Sequence, residues 1–183
     1  MKRALLVIDI QKDYFPGGKM ELVGTEAASL RARELLEGFR KNGEELIHVQ
    51  HIFQAPNAPF FVAGTEGAEI HPNVQPLPGE RLLVKHHANS FKDTPLQQWL
   101  RERDVTDVVI CGMMTSMCVD AATRAAADLG FNTYVAADAC AAPDLRSGAE
   151  IIPGRTVHNA FLAALGSLVA RVESTSELLS RRG

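Results

Sequence analysis

The chain has 183 residues, 46% of them hydrophobic and 22% charged, with a formal net charge of −3. Those proportions suit one domain spanning 1–183 with a sizeable core. They exclude a basic nucleic-acid footprint, and no apolar run is long enough to cross a bilayer. The cysteines, Cys111, Cys118 and Cys140, are odd in number and irregularly spaced, so no disulfide framework is expected and a reducing cytoplasm is the natural setting. Met1-Lys2-Arg3 has the charge of a secretory leader. The apolar run behind it stops at Asp9 with no small-residue cleavage site, so a strand is expected instead.

Taken in order, Ala4 to Ile10 reads as a buried strand, and Thr25 to Lys41 as a helix capped at Thr25 and stopped near Asn42-Gly43. Glu45 to Phe53 is a second strand, followed by a loop rich in Pro, Gly and Ala from Gln54 to about Pro78. Arg81 to Lys85 forms a third strand, Pro95 to Arg103 a short helix and Asp107 to Cys111 a fourth strand. An Ala-rich helix from Ser116 to Leu129 ends at Gly130, as a helix C-cap would. A fifth strand from Phe131 to Ala136, a helix from Gly154 to Leu165 and a last strand from Leu168 to Val172 complete the chain. Continuous apolar strands alternating with helices predict an α/β fold: a three-layer α/β/α sandwich around a mostly parallel six-stranded sheet.

In such sheets ligands sit beyond the carboxyl ends of the strands, near a topological switch point. The groups there are Asp9, His51, Lys85 and the Cys111-Gly112 turn leading to Cys118. A lone Asp9 would be an ordinary turn residue, and a lone Lys85 would send its head to solvent. If both strands end at one cleft, the two charges meet and each offsets the other's burial cost. Cys118 falls in the first turn of a helix, where unpaired N–H groups and the helix dipole favour thiolate and can hold an oxyanion. Cys111 and Cys140 read as inert buried cysteines.

Val7-Ile8-Asp9-Ile10-Gln11, Gly64-Thr65-Glu66-Gly67-Ala68-Glu69, Lys85, and Gly112-Met113-Met114-Thr115-Ser116-Met117-Cys118-Val119 follow one another in register. Together with Asp138-Ala139-Cys140, they resemble the isochorismatase-like cysteine hydrolases over most of the chain. The resemblance implies a triad of Asp9, Lys85 and Cys118, a cis peptide between Met113 and Met114, and an oxyanion hole formed by the N–H groups of Met114 and Cys118. It also implies hydrolysis of a C–N bond in a small amide, ureido, carbamoyl or lactam substrate through a thioester, with a homodimer or larger homo-oligomer as the assembly. By position in the motifs, Tyr14, Gln11 and Asn89 are expected to contact substrate, with orientation of Asp9 as the alternative role for Gln11. Phe60 and Phe61, in the long loop, are expected either to form a wall or lid or to bury against a partner subunit.

Nicotinamidase-type relatives carry an Asp-x-His metal pair after the second strand. Here the segment is Val49-Gln50-His51, and His51 with His71 makes no convincing site, so neither a metal nor another cofactor is expected. The methionine-rich segment 113–117 predicts a soft, apolar pocket. The alternatives are a nicotinamidase-type amidase, an isochorismate (vinyl-ether) hydrolase, and a non-catalytic binding or assembly protein. A nucleotide-binding module is disfavoured, because Asp9-Ile10-Gln11-Lys12-Asp13 follows the first strand where a glycine-rich phosphate loop would stand.

Overall fold

The computed structural model describes residues 2–55 and 57–181. Its main sheet is built from β1 (Arg3–Ile8), β2 (Glu45–His51), β3 (Arg81–Lys85), β4 (Asp107–Met113), β5 (Asn132–Ala141) and β8 (Arg171–Glu173). The strand order is β3-β2-β1-β4-β5-β8, and every pairing is parallel. The chain winds outward one way from β1 and the other way from β4, so the switch point lies between these two strands.

Period-two alternation divides β1 between two cores. Leu5 and Val7 face one side with α1 (Thr25–Asn42) and α5 (Thr175–Ser180), through Leu35, Phe39 and Leu178. Ala4, Leu6 and Ile8 face the other. That side is covered by α2 (Leu96–Glu102), α3 (Asp120–Asp128) and α4 (Gly154–Leu168). The result is the α/β/α sandwich that the apolar strands predicted. No helix among the described residues is long and apolar enough to cross a membrane.

Several boundaries differ from the sequence expectations. Gly24, in the left-handed region with φ 79°, precedes α1 in place of a Thr25 side-chain cap. Gly43 closes the same helix with φ 67°, its N–H returning to Arg40 and that of Glu44 to Phe39. The second strand stops at His51. Strand β5 runs on to Ala141 because its register against β4 shifts between Ile110 and Gly112, a bulge that an alanine-rich segment does not announce. A small antiparallel hairpin, β6 (Leu145–Ser147) and β7 (Glu150–Ile152), and the terminal α5 were not anticipated. Helix α5 opens with a capping box between Ser174 and Glu177.

Candidate active site

Each charged or nucleophilic group is delivered by the end of a strand. After Ile8 the backbone of Asp9 turns into the left-handed region (φ 51°), which short polar residues tolerate best, while its N–H is held by the Val49 carbonyl at 3.0 Å. Lys85 ends β3 and pairs in register with His51 of β2. Strand β4 reaches Gly112, where φ is 129° and a Cβ would lie 1.9 Å from the Ile8 carbonyl oxygen. Only glycine lets the two central strands approach this closely. The Met113–Met114 peptide is cis. From Thr115 to Val119 the chain makes a wide π-type turn, with the Val119 N–H donating to the Met114 carbonyl at 3.1 Å. His158 of α4 braces this turn by pairing with the Thr115 hydroxyl at 2.9 Å.

These ends bring four side chains together. The Lys85 ammonium lies 2.8 Å from Asp9 Oδ2, and both residues are fully buried. It also donates toward the carbonyls of His87 (3.0 Å) and Ala88 (3.3 Å) and sits 3.3 Å from His51 Nδ1. An ammonium has three N–H groups, which Asp9 and the two carbonyls can take, so the contact does not fix the His51 tautomer. Nδ1 also lies 3.8 Å from Asp9 Oδ2, against both members of the ion pair. Cys118 Sγ is 3.9 Å from the same Nδ1, and the donor atoms of Asp9, His51 and Cys118 all lie within 4.8 Å of one another.

The electrostatics of this cluster follow from burial and pairing. Burial is the largest influence on the Asp9 carboxyl and would raise it, but Lys85 and His51 together outweigh it and the net direction is down. Burial is the largest influence on Lys85 and would lower it, but Asp9 and Cys118 together hold it above its ordinary value. The Cys118 thiol is pushed up by burial first and Asp9 next, with Lys85 pulling the other way. A resting thiolate favoured by Lys85 and the helix turn is therefore not what the cluster supports. The resting group is a thiol with an ionised carboxylate beside it.

An Isochorismatase domain model matches residues 3–175. The chain belongs to the isochorismatase family. It is 48% identical over 179 residues to the uncharacterized isochorismatase family protein YddQ of Bacillus subtilis, covering 98% of this chain and 99% of the relative. Over 173 residues it is 34% identical to a streptothricin hydrolase of Streptomyces noursei, covering 91% of this chain and 66% of that protein. A crystal structure from Oleispira antarctica, provisionally named an isochorismatase hydrolase, superimposes with a TM-score of 0.94 at 46% identity, covering 98% of this chain and 97% of that one.

In this isochorismatase-family chain, Cys118 and His51 border a cavity of about 490 Å³ that Tyr14, Phe60 and Met114 also line. The other three residues expected to contact substrate lie elsewhere. Gln11 is fully buried, and its amide is spent on the backbone: Nε2 donates to the His51 and Ala68 carbonyls at 2.9 and 2.8 Å, and Oε1 accepts the His51 N–H at 2.7 Å. It thereby positions His51. Asn89 accepts the Phe91 N–H at 2.9 Å in a local turn. Phe61 is fully buried behind Tyr14, ring centroids 4.5 Å apart, and its N–H donates to Asp13 Oδ2 at 2.7 Å.

His51 was expected at a strand end beside the ligand position and weighed there as a metal ligand, but its contact with Lys85 and Cys118 was missed. Its place at the end of β2, two residues after the apolar Val49, was the available signal. The donor set does not suit a divalent cation. Lys85 already places a positive charge against both Asp9 and His51, and His71 lines a separate surface groove, stacked on Phe15 at 3.7 Å.

Proposed function

We propose that this isochorismatase-family hydrolase cleaves a C–N bond in a small amide, ureido, carbamoyl or lactam compound through a thioester on Cys118. The observation that carries this reading is the meeting of a buried Asp9–Lys85 ion pair with the Cys118 thiol at the base of a cavity. The relative named streptothricin hydrolase adds a hydrolytic precedent within the family.

The proton balance follows from the pKa directions. Asp9 is ionised and Cys118 is a thiol, so Asp9 takes the sulfur proton as Sγ attacks the carbonyl carbon. The new oxyanion is held by the N–H groups of Met114 and Cys118 at the opening of the π-type turn. Collapse breaks the C–N bond, and the proton on Asp9 passes to the departing nitrogen. In the second half, water attacks the thioester while Asp9 accepts a proton from it. The acid is released and that proton returns to the sulfur. Lys85 stays charged throughout and keeps Asp9 a carboxylate between steps. Isochorismate vinyl-ether cleavage would leave this nucleophile without a task.

An ammonia-release screen over primary amides, ureas, carbamoyl compounds and lactams, run beside Cys118→Ala, tests the reading. Turnover confined to the native protein supports it, and turnover that survives the substitution contradicts it.

A further inference from the structure

Resting on the cysteine-hydrolase reading, we infer that the substrate is an uncharged amide with an apolar body, and that anionic substrates are refused. The walls of the Cys118 cavity carry this. One side is aromatic: Tyr14, Phe53 and Phe60, with Phe60 edge-on to Phe53 at 5.1 Å between centroids and 5.8 Å from Tyr14. Thioethers supply further wall: Met20, Met114 and Met117. Pro143, which is buried, and the exposed Leu145, where the β6–β7 hairpin begins, complete the apolar lining.

Among the described residues, no arginine, lysine, aspartate or glutamate lines this space. Asp9 and Lys85 lie below it and neutralise each other. Three histidines are the remaining ionisable lining besides Tyr14 and Cys118. His51 Nδ1 is engaged by Lys85 at 3.3 Å. His86 Nδ1 lies 2.7 Å from the Ile52 carbonyl and so donates to it. His87 Nε2 is 3.1 Å from Asp93, which balances any positive charge it takes up.

A substrate carboxylate would therefore be desolvated against aromatic and methionine surface with no lysine or arginine to meet it, and an unpaired buried charge is strongly disfavoured. An apolar body gains on every methylene it buries. At about 490 Å³ the cavity is far larger than a urea or acetamide needs and falls in the range of drug-sized ligand sites. Methionine walls adapt to irregular apolar shapes, so breadth within the class follows.

The test is a matched series of primary amides: acetamide, butanamide, hexanamide and 3-phenylpropanamide, with adipamic and succinamic acids as carboxylated counterparts. Ammonia release is the first readout. Protection of Cys118 from iodoacetamide is the second, and it reports occupancy even for an amide that is not turned over. We expect kcat/KM, or protection, to rise about fourfold per methylene until the cavity fills. Adipamic acid should fall at least 100-fold below hexanamide. Leu145→Arg, at the exposed start of the hairpin, should narrow that gap at least tenfold by offering a cation. Equal or better use of the carboxylated amides overturns the inference, as it would if a second copy of the chain supplied an arginine to the mouth. Absence of both turnover and protection by every neutral amide also overturns it. Acylation of Cys118 by p-nitrophenyl acetate, absent in Cys118→Ala, is followed separately. If it occurs while the series fails, the substrate class is wrong and the nucleophile stands. If it does not occur, the nucleophile assignment itself fails.

Discussion

The floor and the walls of the Cys118 cavity are built in opposite ways. The floor consists of charged and nucleophilic groups at the ends of parallel strands: Asp9 after β1, His51 on β2, Lys85 on β3 and Cys118 just beyond β4. The walls are mostly apolar side chains beyond the strand ends, and one buried carboxylate holds the backbone next to two of them, Phe60 and Met20. Asp13 accepts the Phe61 N–H at 2.7 Å and the Lys19 N–H at 3.2 Å, and Gly67 approaches so closely that a Cβ there would lie 2.0 Å from its Oδ1. Sheet backbone thus fixes the reacting groups, while loops adjustable by substitution set what reaches them.

Cys118→Ala breaks the floor most completely. Amide turnover should fall by about 10⁴-fold or more, read as ammonia release, with apolar amides still binding. Asp9→Asn should lower kcat by about 10³-fold by removing the proton acceptor. It also leaves Lys85 buried without its counter-charge, which should cost about 3–5 kcal/mol in denaturant unfolding.

The same pair sets a pH window for stability. Asp9 is depressed in the folded state, so its contribution is present above the unfolded value near 3.8 and is lost as pH falls through the lowered pKa. Lys85 is raised, so its contribution is present below about 10.5 and is lost as pH rises through the raised pKa. Thermal melts from pH 2 to 12 should show both edges in the native protein and neither of these contributions in a Asp9→Asn, Lys85→Met double variant.

The walls should respond differently. Asp13→Ala releases the Phe61 N–H and loosens the aromatic side, with an expected loss of about 10²-fold in kcat/KM. Its acylation by a small activated ester should be nearly unchanged. Phe60→Ala should have the smallest effect, about a tenfold rise in KM for 3-phenylpropanamide with kcat held, because it removes contact area and leaves the reacting atoms in place. A large kcat loss in Phe60→Ala would erase the division between floor and walls.

The floor was the legible part. Apolar runs ending in Asp9 and Lys85, and a strand-to-helix turn ending in Cys118, place chemistry at strand ends before any register is known. The contact of His51 with Lys85 was not legible, because it depends on β2 and β3 being neighbours in register. The walls were half legible. Tyr14 and Phe60 line the cavity, whereas Phe61, the next residue after Phe60, turns into the core with φ 53°. The two rings part at a left-handed residue in a long loop, and neither composition nor periodicity encodes that turn. The hairpin that carries Leu145 was missed for a related reason: three-residue strands present too little alternation to detect.

Burial by itself does not choose among the cysteines. The thiols of Cys111, Cys118 and Cys140 are all raised by it, Cys140 to about 12, and only Cys118 stands beside both Asp9 and Lys85. Mass spectrometry of the protein quenched during turnover of p-nitrophenyl acetate or an apolar amide tests that distinction most directly. The acyl group should be found on the peptide containing Cys118 and should disappear in Cys118→Ala. An acyl group on the Cys111 or Cys140 side chain, or one that survives the substitution, would contradict it.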